Sequence, residues 1–516
     1  MDRRSGQELR KADVAAAGIL FAVAVALRIP FRSQMAYHWD SAEFTLAVRQ
    51  YNVAMAQPHA PGYFLYVMLG RVADFFIGDP HASLVWLSVV FGSGLVALLY
   101  MLGVEMFDRR VGLAAALFAM TSPQVWFHSC VALTYTTDSL LVCLLVLCCW
   151  QARRRRCRWP DAVIIGGLLA VIGGVRQQTA PGLVPLVVWV LWQAESRRLV
   201  KLAAAFGVCA VGTLAWLVPM IRMSGGWVVY TKVFHLSAVY WAPVTLAGGG
   251  INALLWNLFF TGLYCWNGLL ACVVLLASAL FVRLRMDTNR KRRWDAAHSE
   301  ALWMLALWIA PMMFMQTTLS FTDQAGHVLS YLPAWIILAA VAASQLRKPA
   351  IFGTTVTAVC LINAAAFLAL PPLWDRAFYG TGRTAQKIQE HDRELSRIIH
   401  AIRARLDPSE TLICHAQVYL PLGLRHLQLY LPEYEQYQFV VDRAMLTPVD
   451  RPMMRVLGGR LGFVRGPELT GKRVLALIVP RGTSLDDHTR YVDTREAKLL
   501  PESEGTVYQV PVEAIR

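Results

Sequence analysis

The sequence predicts an α-helical, polytopic membrane protein of about eleven spans, followed by a small extracytoplasmic α/β domain. Composition is the first reason: 56% of the 516 residues are hydrophobic and only 16% are charged, whereas soluble proteins carry about a quarter charged residues. The second reason is that apolar runs close to the ~20 residues needed to cross a bilayer recur along most of the chain. The third is a change to polar composition after Pro371 and Pro372.

The positions of the basic clusters predict the topology. Basic residues precede the first apolar run, so the positive-inside rule puts the N-terminus in the cytoplasm, and we expect this run to be retained as a span. Each dense basic cluster then falls on the cytoplasmic side, including Arg153–Arg156 and Arg283–Arg293. We therefore assign the formal net charge of +15 to membrane anchoring and predict no nucleic-acid partner. The predicted spans are Ala15–Ile29, Ser83–Phe107, Val111–Phe127, Tyr135–Trp150, Val163–Val175, Gly182–Ala194, Leu202–Ile221, Leu263–Val282, Leu302–Leu319, Val328–Ala343 and Phe352–Leu370.

Three further stretches of the membrane region need separate interpretations. Gly62–Ile77 is apolar but short and carries two charges, which predicts a juxtamembrane or re-entrant helix. Met223–Gly250 is rich in Gly, Trp and Tyr and is predicted to be an outer loop. Ile251–Val282 is too long for one upright helix, so its first part is expected to lie along the outer interface.

Domain boundaries follow from the composition: residues 1–372 form the predicted membrane domain, and residues 373–516 form the α/β domain on the outer side. One cysteine, Cys414, belongs to the second domain, so we expect no internal disulfide there. Its predicted elements are an amphipathic helix and four strands: Thr384–Leu406, Thr411–Cys414, Phe439–Val441, Val474–Val479 and Val507–Val510.

The first outer loop, residues 30–62, carries the chemistry. Asp40 and Glu43 are three residues apart and would share a face if a helix begins there. They stand between apolar segments, where an ionised carboxylate costs on the order of 2–3 kcal/mol unless it is paired or used. One interpretation is a general base that deprotonates an acceptor hydroxyl. The other is a solvated pair or a helix N-cap.

The motifs HWDSAEF at 38–44, QPHAPGYFLY at 57–66 and GDPH at 78–81 resemble the start of the GT-C class of membrane glycosyltransferases. The similarity is to bacterial relatives of the protein O-mannosyltransferases and the aminoarabinose lipid A transferases. Clear motifs cover about Ala15–Trp150, and the likeness extends more loosely to Leu370. Ala60 departs from the family pattern, which often has a second proline there.

The resemblance implies transfer of a sugar from a polyprenyl-phosphate carrier to a hydroxyl acceptor on the outer face of a bacterial inner membrane. It matches Asp40 to the catalytic carboxylate of the family, which serves as base or orients the acceptor, and Glu43 to the second acidic position. The leaving phosphate of such a donor needs a cation near the outer surface. Arg176 lies at the outer end of a span, away from the cytoplasmic clusters, and its guanidinium could bind phosphate bidentately. Ordinary snorkelling to the interface is the alternative.

Other polar residues at predicted outer ends of spans complete the candidate site. His59, in the turn after the acids, would contact the donor phosphate or order the turn. His327 and Tyr331 hold positions that would contact the phosphate in the resembled class, with a capped loop end as the alternative. The predicted cavity-lining residues are Tyr135, Asp138, Gln177 and Asp323.

No tightly bound cofactor or metal is predicted. Asp40 with Glu43 would suit a divalent ion, but the sequence shows no histidine or cysteine spacing typical of metal ligands. Two other function classes compete with the enzyme. A secondary transporter or lipid flippase would concentrate acids near the bilayer midplane and repeat broken helices in two halves. A structural scaffold would leave Asp40 and Arg176 without a shared cavity.

Overall fold

A computed structural model of the chain describes residues 10–285, 288–319, 324–369, 382–415, 422–438, 471–479, 485, 493–503 and 505–514. Within these residues, seven helices are long and apolar enough to cross a membrane, and three shorter apolar helices accompany them. The chain is a multi-pass membrane protein by these helices, as its composition predicts.

The described helices reproduce most of the predicted spans, with bounds that differ by a few residues. They are α1 (Lys11–Arg28), α2 (Trp39–Arg49), α3 (Phe64–Ile77), α4 (Pro80–Met106), α5 (Arg109–Thr121), α6 (Pro123–His128), α7 (Tyr135–Arg154), α8 (Trp159–Val175), α9 (Thr179–Trp192), α10 (Arg198–Met223), α11 (Trp227–Trp241), α12 (Leu246–Leu269), α13 (Cys272–Arg285), α14 (Thr288–Thr318), α15 (Leu332–Ser344), α16 (Pro349–Leu368), α17 (Ala385–Arg405) and α18 (Leu424–Tyr430).

Three predictions of local structure differ from the fold. The predicted outer loop Met223–Gly250 contains helix α11, because its aromatic residues are also compatible with a helix along the interface. The long apolar run 251–282 divides at Leu270, where φ is +41°, and not near Leu263. The predicted span Val111–Phe127 is two helices, since Pro123 follows Ser122 and begins α6.

Helices α4 and α5 approach each other through glycine. A Cβ atom on Gly103 would lie 2.6 Å from the Cα of Gly112, and one on Gly112 would lie 2.6 Å from the carbonyl oxygen of Tyr100. Small residues let membrane helices pack backbone against backbone. This contact fixes α4, whose N-terminal end lies beside the first outer loop.

The residues after 382 form a sheet covered by a helix. Five strands are described: β1 (Thr411–His415), β2 (Glu435–Gln438), β3 (Val474–Ile478), β4 (Lys498–Leu499) and β5 (Val507–Pro511). Their order is β2-β1-β3-β5-β4, with β1 parallel to β2 and β3, and β5 antiparallel to β3 and β4. The apolar face of α17, including Leu395, Ile399 and Ile402, packs on this sheet.

The predicted α/β class of this region is confirmed, with changes in the strands. The amphipathic helix and three of the four strands are at or near their predicted positions. The predicted strand Phe439–Val441 and the boundary at 372/373 lie outside the described residues. Strands β2 and β4 were not predicted, because neither has the run of β-branched residues that identifies a strand.

Replacing Gly112 with Ala should destabilise the protein, because the added methyl meets backbone atoms that must move apart. We expect a loss of about 1–3 kcal/mol, typical of overpacking, seen as a lower melting temperature in detergent. Gly167→Ala in α8 is the matched control, since no atom outside its own helix lies within 4 Å of the added carbon. Equal melting temperatures for the two variants would contradict this account of the α4–α5 contact.

Candidate active site

The first outer loop holds a short helix that carries both acids. His38 precedes α2, and its Nδ1 accepts a hydrogen bond from the backbone N–H of Asp40 at 3.2 Å. Phe44, Ala47 and Val48 are buried on one side of the helix, which anchors it to the membrane domain. Asp40 and Glu43 therefore occupy the first turns of a helix, as their spacing predicts.

His59 lies between the two carboxylates. Its Nδ1 is 2.5 Å from Oε2 of Glu43 and 3.9 Å from Oδ1 of Asp40. The backbone N–H of His59 also donates to Oε2 of Glu43, at 3.2 Å. The Asp40 side chain is 18% exposed and that of Glu43 is 1% exposed. Asp40 is thus the acid that an incoming molecule can reach.

The charges in this cluster stabilise one another. Burial alone would raise the pKa of Asp40, but the imidazoles of His59 and His38 and a hydrogen bond from Gln324 hold it well below its usual range. Burial alone would lower the pKa of His59, yet Asp40, Tyr63 and Glu43 raise it well above its ordinary value. At neutral pH the arrangement is therefore an ionised Asp40 beside a protonated imidazole.

Glu43 has further partners that hold it in place. Its Oε1 accepts a hydrogen bond from the indole N–H of Trp39 at 2.8 Å. The guanidinium of Arg425, which comes from α18, approaches the same oxygen with its Nε at 3.6 Å. Because both of its oxygens have partners and its side chain is buried, Glu43 is suited to hold His59 in place rather than to contact a substrate.

Gln324 connects the acid cluster to a second polar cluster. Its Nε2 donates to Oδ2 of Asp40 at 3.0 Å, and its Oε1 accepts a hydrogen bond from the hydroxyl of Tyr135. The ring of Tyr135 lies under the guanidinium of Arg176, with 4.5 Å between the Arg176 Cζ and the ring centroid. One amide and one ring therefore separate the carboxylate of Asp40 from a buried guanidinium.

Arg176 has mainly neutral partners. It follows the last residue of α8, in the short connection to α9, and is 4% exposed. It donates to the hydroxyl of Thr134 at 3.2 Å and to Nδ1 of His327 at 3.4 Å. Oδ2 of Asp138 is 4.0 Å from its Nε and accepts a hydrogen bond from Thr179 at 3.0 Å.

The neighbouring guanidinium sets the state of His327. Burial and the positive charge of Arg176 lower the pKa of this imidazole well below its ordinary value. His327 is therefore neutral at physiological pH, and its Nδ1 is the acceptor of the Arg176 N–H. An acceptor of this kind orients the guanidinium without neutralising it.

The predicted site residues divide into those that meet and those that do not. Asp40, Glu43 and His59 form one cluster; Tyr135, Asp138, Arg176 and His327 form the other, and Gln324 joins them. Gln177 lies beside them, with its Nε2 3.4 Å from the carbonyl oxygen of Pro61. Tyr331 is fully buried and donates to Gln316 at 2.6 Å, away from Arg176. Asp323 lies outside the described residues.

Two residues of the site were not found from the sequence. Gln324 adjoins the predicted Asp323–Tyr331 segment, but a glutamine in a polar loop is unremarkable in itself. Arg425 belongs to the C-terminal domain, where no sequence motif distinguishes it from the other arginines of that domain. Neither Gln324 nor Arg425 could be identified without knowing which segments of the chain the fold brings next to Asp40 and Glu43.

The same cluster can be tested as a metal site. Ligand atoms of Asp40, Glu43 and His59 all lie within 4.8 Å of one another. Within it, however, the imidazole of His59 already supplies a positive charge to both carboxylates, and Arg425 supplies a second to Glu43. A divalent cation would have to displace the proton of His59 and compete with these partners.

The chain is similar to known proteins in part of its sequence and in its fold. Residues 59–222 match the model of the dolichyl-phosphate-mannose-protein mannosyltransferase family, a stretch that includes His59, Asp138 and Arg176. ArnT from Cupriavidus metallidurans bound to undecaprenyl phosphate superimposes with a TM-score of 0.56, at 14% identity over 97% of each chain. Its apo form gives 0.54, at 15% identity over the same shares. No curated protein sequence matches the chain significantly.

These findings confirm the resemblance that the N-terminal motifs indicated, and at such low identity the structural likeness concerns the fold. The family model and the superimposed structures both belong to membrane glycosyltransferases. The chain therefore has the fold of the GT-C class of membrane glycosyltransferases, with the dolichyl-phosphate-mannose-protein mannosyltransferase sequence pattern between residues 59 and 222.

Proposed function

We propose that the protein is an inverting glycosyltransferase that moves a sugar from a polyprenyl-phosphate carrier to a hydroxyl acceptor. The observation that carries this proposal is the connection from the half-buried carboxylate of Asp40, through Gln324 and Tyr135, to the buried guanidinium of Arg176. Sugar transfer needs a base for the acceptor and a cation for the leaving phosphate, and these two groups lie at the two ends of that connection.

The proposed reaction is a single displacement. The acceptor hydroxyl donates a hydrogen bond to Asp40 while its oxygen attacks the anomeric carbon from the face opposite the phosphate, which inverts the configuration. The bond from the anomeric carbon to the phosphate oxygen breaks, and its electron pair leaves on polyprenyl phosphate. The hydroxyl proton goes to Asp40. The transition state has oxocarbenium character, as in other glycosyl transfers.

The ionisation of Asp40 suits this role. Because its pKa lies well below the usual range, the carboxylate is ionised at every physiological pH and is ready to accept a hydrogen bond. A weakly basic carboxylate takes the proton late, when the attacking oxygen has begun to bond to carbon and its proton has become acidic. Glu43 and His59 are positioning residues in this scheme, since Glu43 holds the imidazole that compensates the charge of Asp40.

Arg176 is proposed to bind the donor phosphate. Its hydrogen-bond partners are a hydroxyl and a neutral imidazole, and its carboxylate neighbour Asp138 stays 4.0 Å from its Nε, so its terminal nitrogens remain suited to a phosphate. The negative charge on the phosphate increases as the glycosidic bond breaks, and a fixed guanidinium stabilises that increase. His327 and Tyr135 orient Arg176, and Asp138 and Gln177 line the same proposed cavity.

The proposed partners follow from the donor. Its polyprenyl tail lies in the bilayer, and ArnT from Cupriavidus metallidurans, which has the same fold, binds undecaprenyl phosphate. We propose a bacterial inner-membrane location with the N-terminus cytoplasmic and residues 373–516 on the periplasmic side, so that the site faces outward. The acceptor is a hydroxyl of a protein, a lipid or a glycan. No metal takes part in the proposed step.

Asp40→Asn should abolish transfer, because the amide cannot accept the acceptor's proton. We expect a rate loss of about 10²–10⁴-fold, the usual contribution of a general base. The measurement is release of undecaprenyl phosphate, by mass spectrometry, from a panel of undecaprenyl-phosphate sugars incubated with membranes, mannose first. Glu300→Gln, at an exposed carboxylate paired with Arg153, is the control. Full activity of Asp40→Asn would remove the proposed base.

Arg176→Gln should weaken both the binding of the donor phosphate and the stabilisation of its charge during transfer. We expect transfer to fall by about 10²–10³-fold, as for loss of one group that stabilises a developing anion. Arg176→Lys should fall less, since it keeps the charge but loses the planar fork. Binding of undecaprenyl phosphate alone, measured in detergent, should weaken in the same order.

The matched control for Arg176 is Arg222→Gln. Arg222 lies in the last turn of α10 and is exposed, so its removal tests a cation on the membrane domain that is not part of the site. If Arg176→Gln bound undecaprenyl phosphate as tightly as Arg222→Gln does, Arg176 would not be the phosphate ligand.

A further inference from the structure

We propose that Arg425, a residue of the C-terminal domain, is a positioning residue of the active site, so that the site is complete only when this domain is docked on the first outer loop. The inference rests on the proposed transferase function. Its basis is the burial of the Arg425 guanidinium against the carboxylate of Glu43, together with the hydrogen bonds that fix this guanidinium.

Arg425 is held on three sides. It is fully buried, and its Nε lies 3.6 Å from Oε1 of Glu43. One terminal nitrogen donates to Oε1 of Gln428, one turn along α18, at 2.6 Å. The other donates to the carbonyl oxygen of Met55 in the first outer loop at 2.9 Å. The guanidinium therefore ties together the helix it belongs to, the catalytic helix and the returning loop.

The docking of α18 and α17 on the loop is specific. The backbone carbonyl of Ala36 accepts hydrogen bonds from Nε2 of His426 at 2.9 Å and from Nε2 of His391 at 3.0 Å. The backbone N–H of the same residue donates to the hydroxyl of Tyr430 at 2.7 Å. These contacts stand four residues before Asp40, so they fix where α2 begins.

Asp392 adds a carboxylate to this contact. It accepts hydrogen bonds from the backbone N–H groups of Gln34 and Met35, at 2.7 and 3.0 Å. Arg425 is thus delivered to Glu43 by a domain that is attached to the loop at residues 34–36. A residue that merely filled space at this interface would not need to be an arginine, because burying a cation is unfavourable unless its charge is used.

The charge of Arg425 balances the acid cluster. Without Arg425, His59 is the cation that lies within 4 Å of both Asp40 and Glu43. With Arg425, Glu43 has a cation of its own, and more of the field of His59 acts on Asp40. Loss of Arg425 should therefore raise the pKa of Asp40, because removing a nearby cation disfavours every ionised carboxylate.

The effect on the rate does not come from protonation of Asp40, because its pKa lies well below its usual range and a modest rise leaves it ionised near neutral pH. Loss of Arg425 acts instead on position. Glu43 loses a partner at Oε1, and the imidazole of His59, which Glu43 holds, is then less well fixed against Asp40.

The experiment measures kcat and KM for the donor with full-length wild type, Arg425→Gln and Arg425→Lys at pH 7. Release of undecaprenyl phosphate from the undecaprenyl-phosphate sugar that wild type uses is followed, and kcat is expressed per undecaprenyl-phosphate-binding site so that unfolded protein is not counted. We expect Arg425→Gln to lower kcat by about 10-fold or more with KM unchanged, because a catalytic group is displaced while the phosphate ligand is not. Arg425→Lys, which keeps the charge but not the fork, should restore part of kcat.

Arg405→Gln is the matched control. Arg405 is the last residue of α17 in the same domain, is 41% exposed and pairs with Glu502. Its variant should keep the wild-type kcat and KM. Binding of undecaprenyl phosphate should be unchanged in all of these variants, because the phosphate ligand is Arg176, and it reports that each variant is folded.

The outcomes separate the two proposals. If wild type releases no undecaprenyl phosphate from any of the sugars, or if Asp40→Asn is fully active, the proposed function fails. If wild type is active but Arg425→Gln keeps the wild-type kcat per binding site, or if its binding of undecaprenyl phosphate weakens along with kcat, Arg425 is not a positioning residue and the inference is overturned. A lower kcat at unchanged KM that Arg425→Lys partly restores supports it.

Discussion

The site depends on the shared imidazole of His59. Two carboxylates lie near the apolar surface of a membrane domain, where ionised acids are costly, and His59 is within 2.5 Å of one and 3.9 Å of the other. Its positive charge helps Asp40 to remain ionised. Because Glu43 also takes the backbone N–H of His59, the imidazole is fixed in direction, and Asp40 receives its charge without being bound by it.

The loop that carries these residues is fastened from two sides. From the membrane domain, Gln324 donates to Asp40 and links it to Tyr135 and Arg176. From the C-terminal domain, Arg425 reaches Glu43 and the carbonyl of Met55. Neither fastening alone fixes both acids. A short helix in an outer loop, with no sheet or span of its own, is held in register by partners that are remote in sequence.

What the sequence predicted and what it did not can be separated on physical grounds. The spacing of Asp40 and Glu43 predicted a shared helical face because helix periodicity is local. Arg176 was predicted as a phosphate ligand because the predicted topology puts it at the outer end of a span, whereas arginines that anchor spans concentrate on the cytoplasmic side. Gln324 and Arg425 contact the acids from 284 residues away in the first case and from another domain in the second. A pattern within a short stretch of sequence cannot predict contacts between residues so far apart.

The same distinction applies to the helices. Most predicted spans correspond to described helices because a run of apolar residues is marked along its whole length. The break at Leu270 was misplaced because it occurs inside an unbroken apolar run, where nothing in the composition marks it. Helix α11 was missed because glycine and aromatic residues are typical both of outer loops and of helices at the interface.

The polar contacts to residues 34–36 are all made to their backbone: Asp392, His391, His426 and Tyr430 contact peptide N–H and carbonyl groups. Peptide groups are the same in every residue other than proline, so these hydrogen bonds do not specify the side chains they reach. The side chains are limited by size instead, because Met35 packs on the core of the C-terminal domain and the methyl group of Ala36 is fully buried beside Leu429. A bulky residue at position 36 would therefore separate the two domains even though every hydrogen-bonding group of the contact was still present.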